Sequence, residues 1–230
     1  VFNRQLEIAE KFNKPVVVHS RDSIQDTYNI LKEYKFIVPC MNTDKICVFT
    51  NLGLMHQIKV LDIPAGKFRD KGVPIDNLCN YDSAKEYIIQ VLDVQTMIHS
   101  TLLFATAKSM LKVMDGDLLN ASKRTVQATK LSEDELVAVI VADWSEESED
   151  KVVLQTKDGV FLKFPYAEIP KKKKSALGVR GMKLSKDDLI TNVYVMDAQN
   201  ISSIMYKEKE LEFNRLKLSK RDTKGTKVRR

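Results

Sequence analysis

The sequence predicts a mainly-β chain: a bladed, propeller-like array of three blades and a partial fourth, preceded by a short helix–strand–helix segment. Three observations predict it. A strand–turn–strand grammar recurs four times, Thr50, Thr106 and Thr156 mark equivalent strand ends at spacings of 56 and 50, and each hairpin leads into a loop bearing Lys or Arg. A period of about 50 residues holding several strands is the signature of blades packed side by side.

The first 36 residues follow a different rule. Phe2, Leu6, Ala9 and Phe12 recur at helical spacing, and Asn13-Lys14-Pro15 stops that helix because proline disfavours α geometry in the residue before it. Val16-Val17-Val18 is a short β-branched run, as in a strand covered on both faces. Asp22 or Ser23 can cap a second helix carrying Ile24, Thr27, Tyr28 and Leu31. The expected division is therefore 1–36 as an α/β segment and 37–230 as the β domain, with blades at about 40–84, 85–132, 133–184 and 185–230.

In the β domain, Ile46–Thr50 and Leu54–Val60 flank the turn Asn51-Leu52-Gly53. Leu102 to Val113 repeats the design around Ala107-Lys108-Ser109, and Val152–Thr156 with Val160–Phe164 repeats it around Lys157-Asp158-Gly159. Asp158-Gly159 is the strongest turn signal, since glycine accepts the positive φ of a tight hairpin. Ile204-Met205-Tyr206 and Glu210–Phe213 form a weaker fourth copy. Behind the hairpins lie Asp62-Ile63-Pro64 and Glu168-Ile169-Pro170, and then basic loops, three of the four with a glycine.

Lys and Arg number 37 against 31 Asp and Glu, and from Met205 to Arg230 ten basic residues face four acidic ones. The net charge of +6 thus lies wholly in the last repeat, and residues 1–204 balance. The repeated basic loops give Lys67, Arg69 and Lys71, then Lys123, Arg124 and Lys130, then Lys171, Lys172, Lys173, Lys174, Arg180 and Lys183, and finally Lys217, Lys220, Arg221, Lys224 and Lys227. If blades pack side by side, these loops fall on one rim, and a positive ribbon suits the phosphates of a duplex without reading its sequence. The alternative is that the loops need glycine for turning and lysine for solubility.

No apolar run approaches the ~18 residues of a membrane span, and no secretion signal opens the chain. Cys40, Cys47 and Cys79 show neither a disulfide framework nor zinc spacing, which fits a reducing cytoplasm. Phosphate-loop, dinucleotide, zinc-protease and serine-hydrolase motifs are absent. Asp115-Gly116-Asp117 offers two carboxylates of a calcium loop but reads better as a turn, and Trp144 as a structural aromatic at a strand end. The acidic run Glu146-Glu147-Ser148-Glu149-Asp150 is expected in an exposed hairpin loop, where it could compete with DNA for the basic loops.

Phe49-Thr50-Asn51-Leu52-Gly53, Lys71–Leu78, Thr156-Lys157-Asp158-Gly159, Gly178–Leu184 and Arg221–Lys227 resemble the C-terminal domain of bacterial type IIA topoisomerase A subunits, those of gyrase and topoisomerase IV. The resemblance implies a β-pinwheel whose basic outer edge binds and bends duplex DNA and supplies it to a separate cleavage core. The glycine-rich box Q-R-R-G-G-[KR]-G of gyrase is missing, which points toward the topoisomerase IV type, and no Arg-Tyr pair marks a catalytic tyrosine. The expected function is a non-catalytic, cytoplasmic, nucleoid-associated DNA-binding domain without a cofactor of its own. Mg2+ and ATP would belong to the rest of a holoenzyme completed by the A and B subunits.

Residues 2–22, with Lys14-Pro15-Val16-Val17-Val18-His19-Ser20-Arg21-Asp22, resemble TatD-type metal-dependent deoxyribonucleases. The resemblance makes His19 the counterpart of a metal ligand, and a TatD-like hydrolase is one alternative function. A protein-interaction propeller is the other.

Overall fold

In the computed structural model the residues described are 36, 38–64, 73–196 and 202–228. The helix–strand–helix expected over 1–36 lies almost entirely outside them, as do Lys67, Arg69 and Lys71.

All four hairpins form. They are β1 (Lys45–Thr50) with β2 (Leu54–Lys59), β4 (Thr101–Thr106) with β5 (Met110–Asp115), β8 (Lys151–Thr156) with β9 (Val160–Pro165), and β12 (Ser203–Tyr206) with β13 (Lys209–Glu212). The first three turns close alike. The N–H of Gly53, Ser109 or Gly159 donates to the carbonyl of Thr50, Thr106 or Thr156, at 2.9, 2.9 and 3.0 Å. The donating residue has φ of 70°, 67° or 77°, the left-handed region that glycine enters without strain. A 3-10 turn follows every hairpin, at Val60–Asp62, Gly116–Leu119, Tyr166–Glu168 and Phe213–Arg215.

The expected contiguous blades are not how the sheets are assembled. Each of the first three hairpins gains an outer neighbour from downstream: β3 (Ile88–Asp93), β7 (Leu136–Val141) and β11 (Ile190–Met196) pair with β1, β4 and β8. The opposite edge comes from the following repeat, as β6 (Thr125–Gln127) on β2, β10 (Val179–Arg180) on β5 and β14 (Thr226–Lys227) on β9. The three four-stranded sheets therefore draw on overlapping stretches of chain and cross the boundaries near 84, 132 and 184. Hairpin β12–β13 stands as a two-stranded sheet.

The sheets stack face to face, with β7 packed between β3 and β11. Cys47 and Phe49 meet Leu102, Phe104 and Val139 between the first two sheets. Leu103, Ala105 and Val113 turn the other way, onto Val152, Leu154 and Phe164. The first strand of each of these hairpins is thus buried on both sides, which is why Ile46–Phe49, Leu102–Ala105 and Val152–Leu154 run continuously apolar instead of alternating. The first sheet's outer face is closed by residues 73–81 and their neighbours, and the third's by Leu211 and Phe213 of the fourth hairpin.

Ser109 keeps the left-handed turn without glycine because its hydroxyl has work there. Fully buried, it accepts the N–H of Met182 at 2.8 Å, while its carbonyl accepts that of Gly181 at 2.7 Å. Ser109→Ala keeps the strained φ and orphans a buried donor. It should cost about 1–3 kcal/mol in denaturant unfolding, and an unchanged midpoint would show that the hydroxyl is dispensable.

Candidate nucleic-acid interface

Among the described residues, the predicted basic residues gather at the three edge strands that come from the following repeat. Lys123 and Arg124 immediately precede edge strand β6, and Lys130 follows it. Lys171 to Lys174 lead toward β10, which contains Arg180, and Lys183 lies just beyond. Lys217, Lys220, Arg221 and Lys224 lead to β14, which contains Lys227. All are exposed except the half-buried Arg221.

These edges are physically joined. Lys130 N–H donates to Lys174 O at 3.2 Å, tying the chain after the first sheet's edge to the loop before the second's. Asp222 N–H donates to Gly181 O at 2.7 Å, and Lys183 N–H to Thr223 O at 3.0 Å, which ties the second edge to the third. The basic residues from 123 to 227 form one linked series across three sheets.

Three of them have local partners. Lys171 pairs with Asp115 at 2.6 Å and lies 5.7 Å over the Trp144 ring. Arg180 holds Asp222 through two hydrogen bonds, one of 3.1 Å from Nη2, and this pairing keeps the Asp222 carboxyl below the usual carboxylate range. Arg221 is mainly a brace: its N–H donates to Glu168 Oε2 at 2.7 Å, its Nε to Glu168 O at 3.1 Å and its Nη1 to Arg180 O at 2.6 Å.

Polar side chains that belong to no motif in the sequence hold the approach to these edges. Gln57 on β2 donates through Nε2 to Ala121 O and Lys123 O at 2.9 and 2.8 Å. Lys112 on β5 donates to the carbonyls of Lys173, Lys174 and Ala176 at 3.3, 2.9 and 2.9 Å. Lys163 on β9 donates to Phe213 O and Asn214 O at 2.9 and 3.3 Å. Burial pushes the Lys112 amine down to about 8, and that of Lys163 below its ordinary value. The buried His56 links Glu86 (2.9 Å) and Thr125 (3.1 Å), fastening β6 to β2.

Asp115-Gly116-Asp117 starts a 3-10 turn, as expected, and the half-buried Trp144, just past β7, packs against the core between the second and third sheets. The acidic run 146–150 is not in a hairpin loop: it connects β7 to β8, strands of different sheets. The cysteines are free, and burial raises the Cys47 thiol to about 12. Among the described residues, no group of three or more His, Cys, Asp or Glu could hold a metal, and no helix is long and apolar enough to cross a membrane.

Hairpins whose sheets are completed by the next repeat, with basic edges in series, define a strand-exchanged β-pinwheel. The model of the family "DNA gyrase C-terminal domain, beta-propeller" matches residues 44–90, 100–143 and 150–195, and the chain belongs to that family. It is 31% identical over 159 residues to the DNA gyrase A protein of Chlamydia pneumoniae, covering 67% of this chain and 18% of that protein. To the DNA gyrase A protein of Staphylococcus aureus it is 23% identical over 202 residues, 84% of this chain and 22% of that one. The chain therefore spans about a fifth of the length of these relatives.

Solved structures share the fold. The C-terminal domain of DNA topoisomerase IV superposes with a TM-score of 0.71 at 22% identity, over 81% of this chain and 59% of that one. The DNA gyrase A C-terminal domain gives 0.59 at 22% identity, over 82% and 61%. A second family model, TatD related DNase, matches residues 1–54. Its last ten residues are β1, the first turn and Leu54 at the start of β2, which the structure places in the first sheet.

Proposed function

We propose that the chain is the non-catalytic, DNA-holding domain of a type IIA topoisomerase A subunit. Exposed lysines and arginines along β6, β10 and β14 contact the phosphates of a duplex that bends around the pinwheel's edge. Strand cleavage, ATP hydrolysis and Mg2+ belong to the rest of the holoenzyme, formed by the rest of the topoisomerase A subunit with the B subunit, in a bacterial cytoplasm. The missing glycine-rich box favours the topoisomerase IV type. The observation that carries this reading is the linked series of basic residues on edges otherwise built from short, weakly apolar strands.

Phosphate contacts release counterions, so affinity for duplex DNA of any sequence should fall steeply with salt, by about 0.9 in log–log slope per contact. A binding titration from 50 to 200 mM salt (roughly the range over which such contacts are resolved) checks this, and affinity that stays flat overturns the proposal.

The TatD-related match is the one observation favouring a second reading, metal-dependent hydrolysis of DNA with His19 as a ligand. That reading requires nucleotide release that depends on a divalent cation and is lost in His19→Ala. We expect no release from either protein.

A further inference from the structure

Lys112 sits in the middle of β5 with 1% of its surface exposed, so it cannot itself reach a ligand. An amine so buried, with its charged form disfavoured, needs a compensating set of partners. Those partners are three backbone carbonyls of one loop, at Lys173, Lys174 and Ala176, and the same nitrogen lies 5.7 Å over the Phe104 ring. No carboxylate is among its described partners, and every hydrogen bond described for the ammonium goes to the loop. The same loop carries four consecutive exposed lysines, 171–174.

The arrangement is repeated with different chemistry. From the second strand of each of the first three hairpins, one nearly buried polar side chain reaches the carbonyls of the following repeat: Gln57, Lys112 and Lys163, at 7%, 1% and 6% exposure. Backbone bonds reinforce each reach, with Gln57 N–H donating to Arg124 O (2.7 Å), Lys172 N–H to Val113 O (2.8 Å) and Ser219 N–H to Lys163 O (2.9 Å).

We propose that Lys112 is a positioning residue for DNA contact: it clasps the backbone of the 171–176 loop so that the lysines of that loop are presented already ordered. The inference rests on the DNA-binding reading above. A preordered loop loses less freedom on binding than a loose one. Removing the clasp should therefore weaken binding although no surface charge is lost.

The test compares wild type with Lys112→Met, which keeps the stem and removes the donors, and Lys112→Gln, which restores amide donors of the kind Gln57 supplies. Amide hydrogen exchange over 171–177 and affinity for a random-sequence duplex at fixed salt are read together. Lys112→Met should speed exchange in that segment by about tenfold or more while residues 121–124 stay as in wild type. It should weaken duplex binding by about fivefold or more, with Lys112→Gln recovering most of both. If Lys112→Met does not fold, Lys112→Gln decides alone: near-wild-type exchange and affinity support the clasp, and a loosened loop with unweakened binding overturns it. Unchanged exchange in Lys112→Met also overturns it. Absence of duplex binding by wild type would instead sink the DNA-binding reading, while the exchange data would still judge whether Lys112 holds the loop.

Discussion

Gly116→Ala should unfold the domain about 10 °C below wild type, the largest stability loss we expect from a single methyl group. Gly116 opens the 3-10 turn after β5, and its N–H donates to Ser100 O at 2.9 Å. A Cβ there would lie 1.8 Å from the carbonyl oxygen of Met97 and 2.8 Å from its carbon. Both are backbone atoms, so no side chain can swing aside. Met97 belongs to the short helix α1 (Val94–Ile98) and is fully buried between the first and second sheets, beside Leu119 of the same turn. Making room means shifting one against the other in a close-packed core, at about 3 kcal/mol or more. For a chain of this size each kcal/mol is worth roughly 2–4 °C. Calorimetry checks the value, and a transition within about 2 °C of wild type would show that the turn yields cheaply.

The second large effect is on binding. Lys220, Lys224 and Lys227 are exposed and lie before or within β14, with no described carboxylate partner. Changing all three to alanine should lower the log–log salt slope of duplex binding by about 2.7, three phosphate contacts' worth. Thermal stability should hardly change, since exposed lysines contribute little to folding. Arg221→Ala should behave oppositely. Its side chain makes two hydrogen bonds, Nε to Glu168 O and Nη1 to Arg180 O, so its loss should loosen the edge and lower stability more than it lowers the slope. If the triple variant keeps the full slope, the duplex does not follow the third sheet's edge.

Much of this was legible in the sequence, and the reasons are local. Runs such as Ile46–Thr50 and Val152–Thr156, closed by Asn51-Leu52-Gly53 and Lys157-Asp158-Gly159, carry their own turn chemistry, so four hairpins could be read directly. The edge strands could not. Val179–Arg180 and Thr226–Lys227 are two residues each, too short for any periodicity, and their pairing is decided by a strand some 70 residues upstream. The site divides in the same way. Charge on the basic loops is visible in the chain, whereas the diversion of Arg221 into bracing depends on Glu168 arriving from another repeat. Lys112 was missed for a related reason. Between Leu111 and Val113 it reads as the outward residue of an alternating strand, but β5 has no outward face, because the loop of the next repeat covers it.

The borrowed edge strand also dictates when each sheet can be finished during synthesis. His56 and Thr125, bonded across β2 and β6, are 69 residues apart in the chain. The first hairpin must wait, one edge bare, until a full repeat more has left the ribosome, and the second and third wait in turn for their successors. Such long-range closure slows folding and leaves unpaired strand edges open to wrong partners. Maturation should therefore run as a relay from the first sheet to the third, with no repeat reaching its final stability alone.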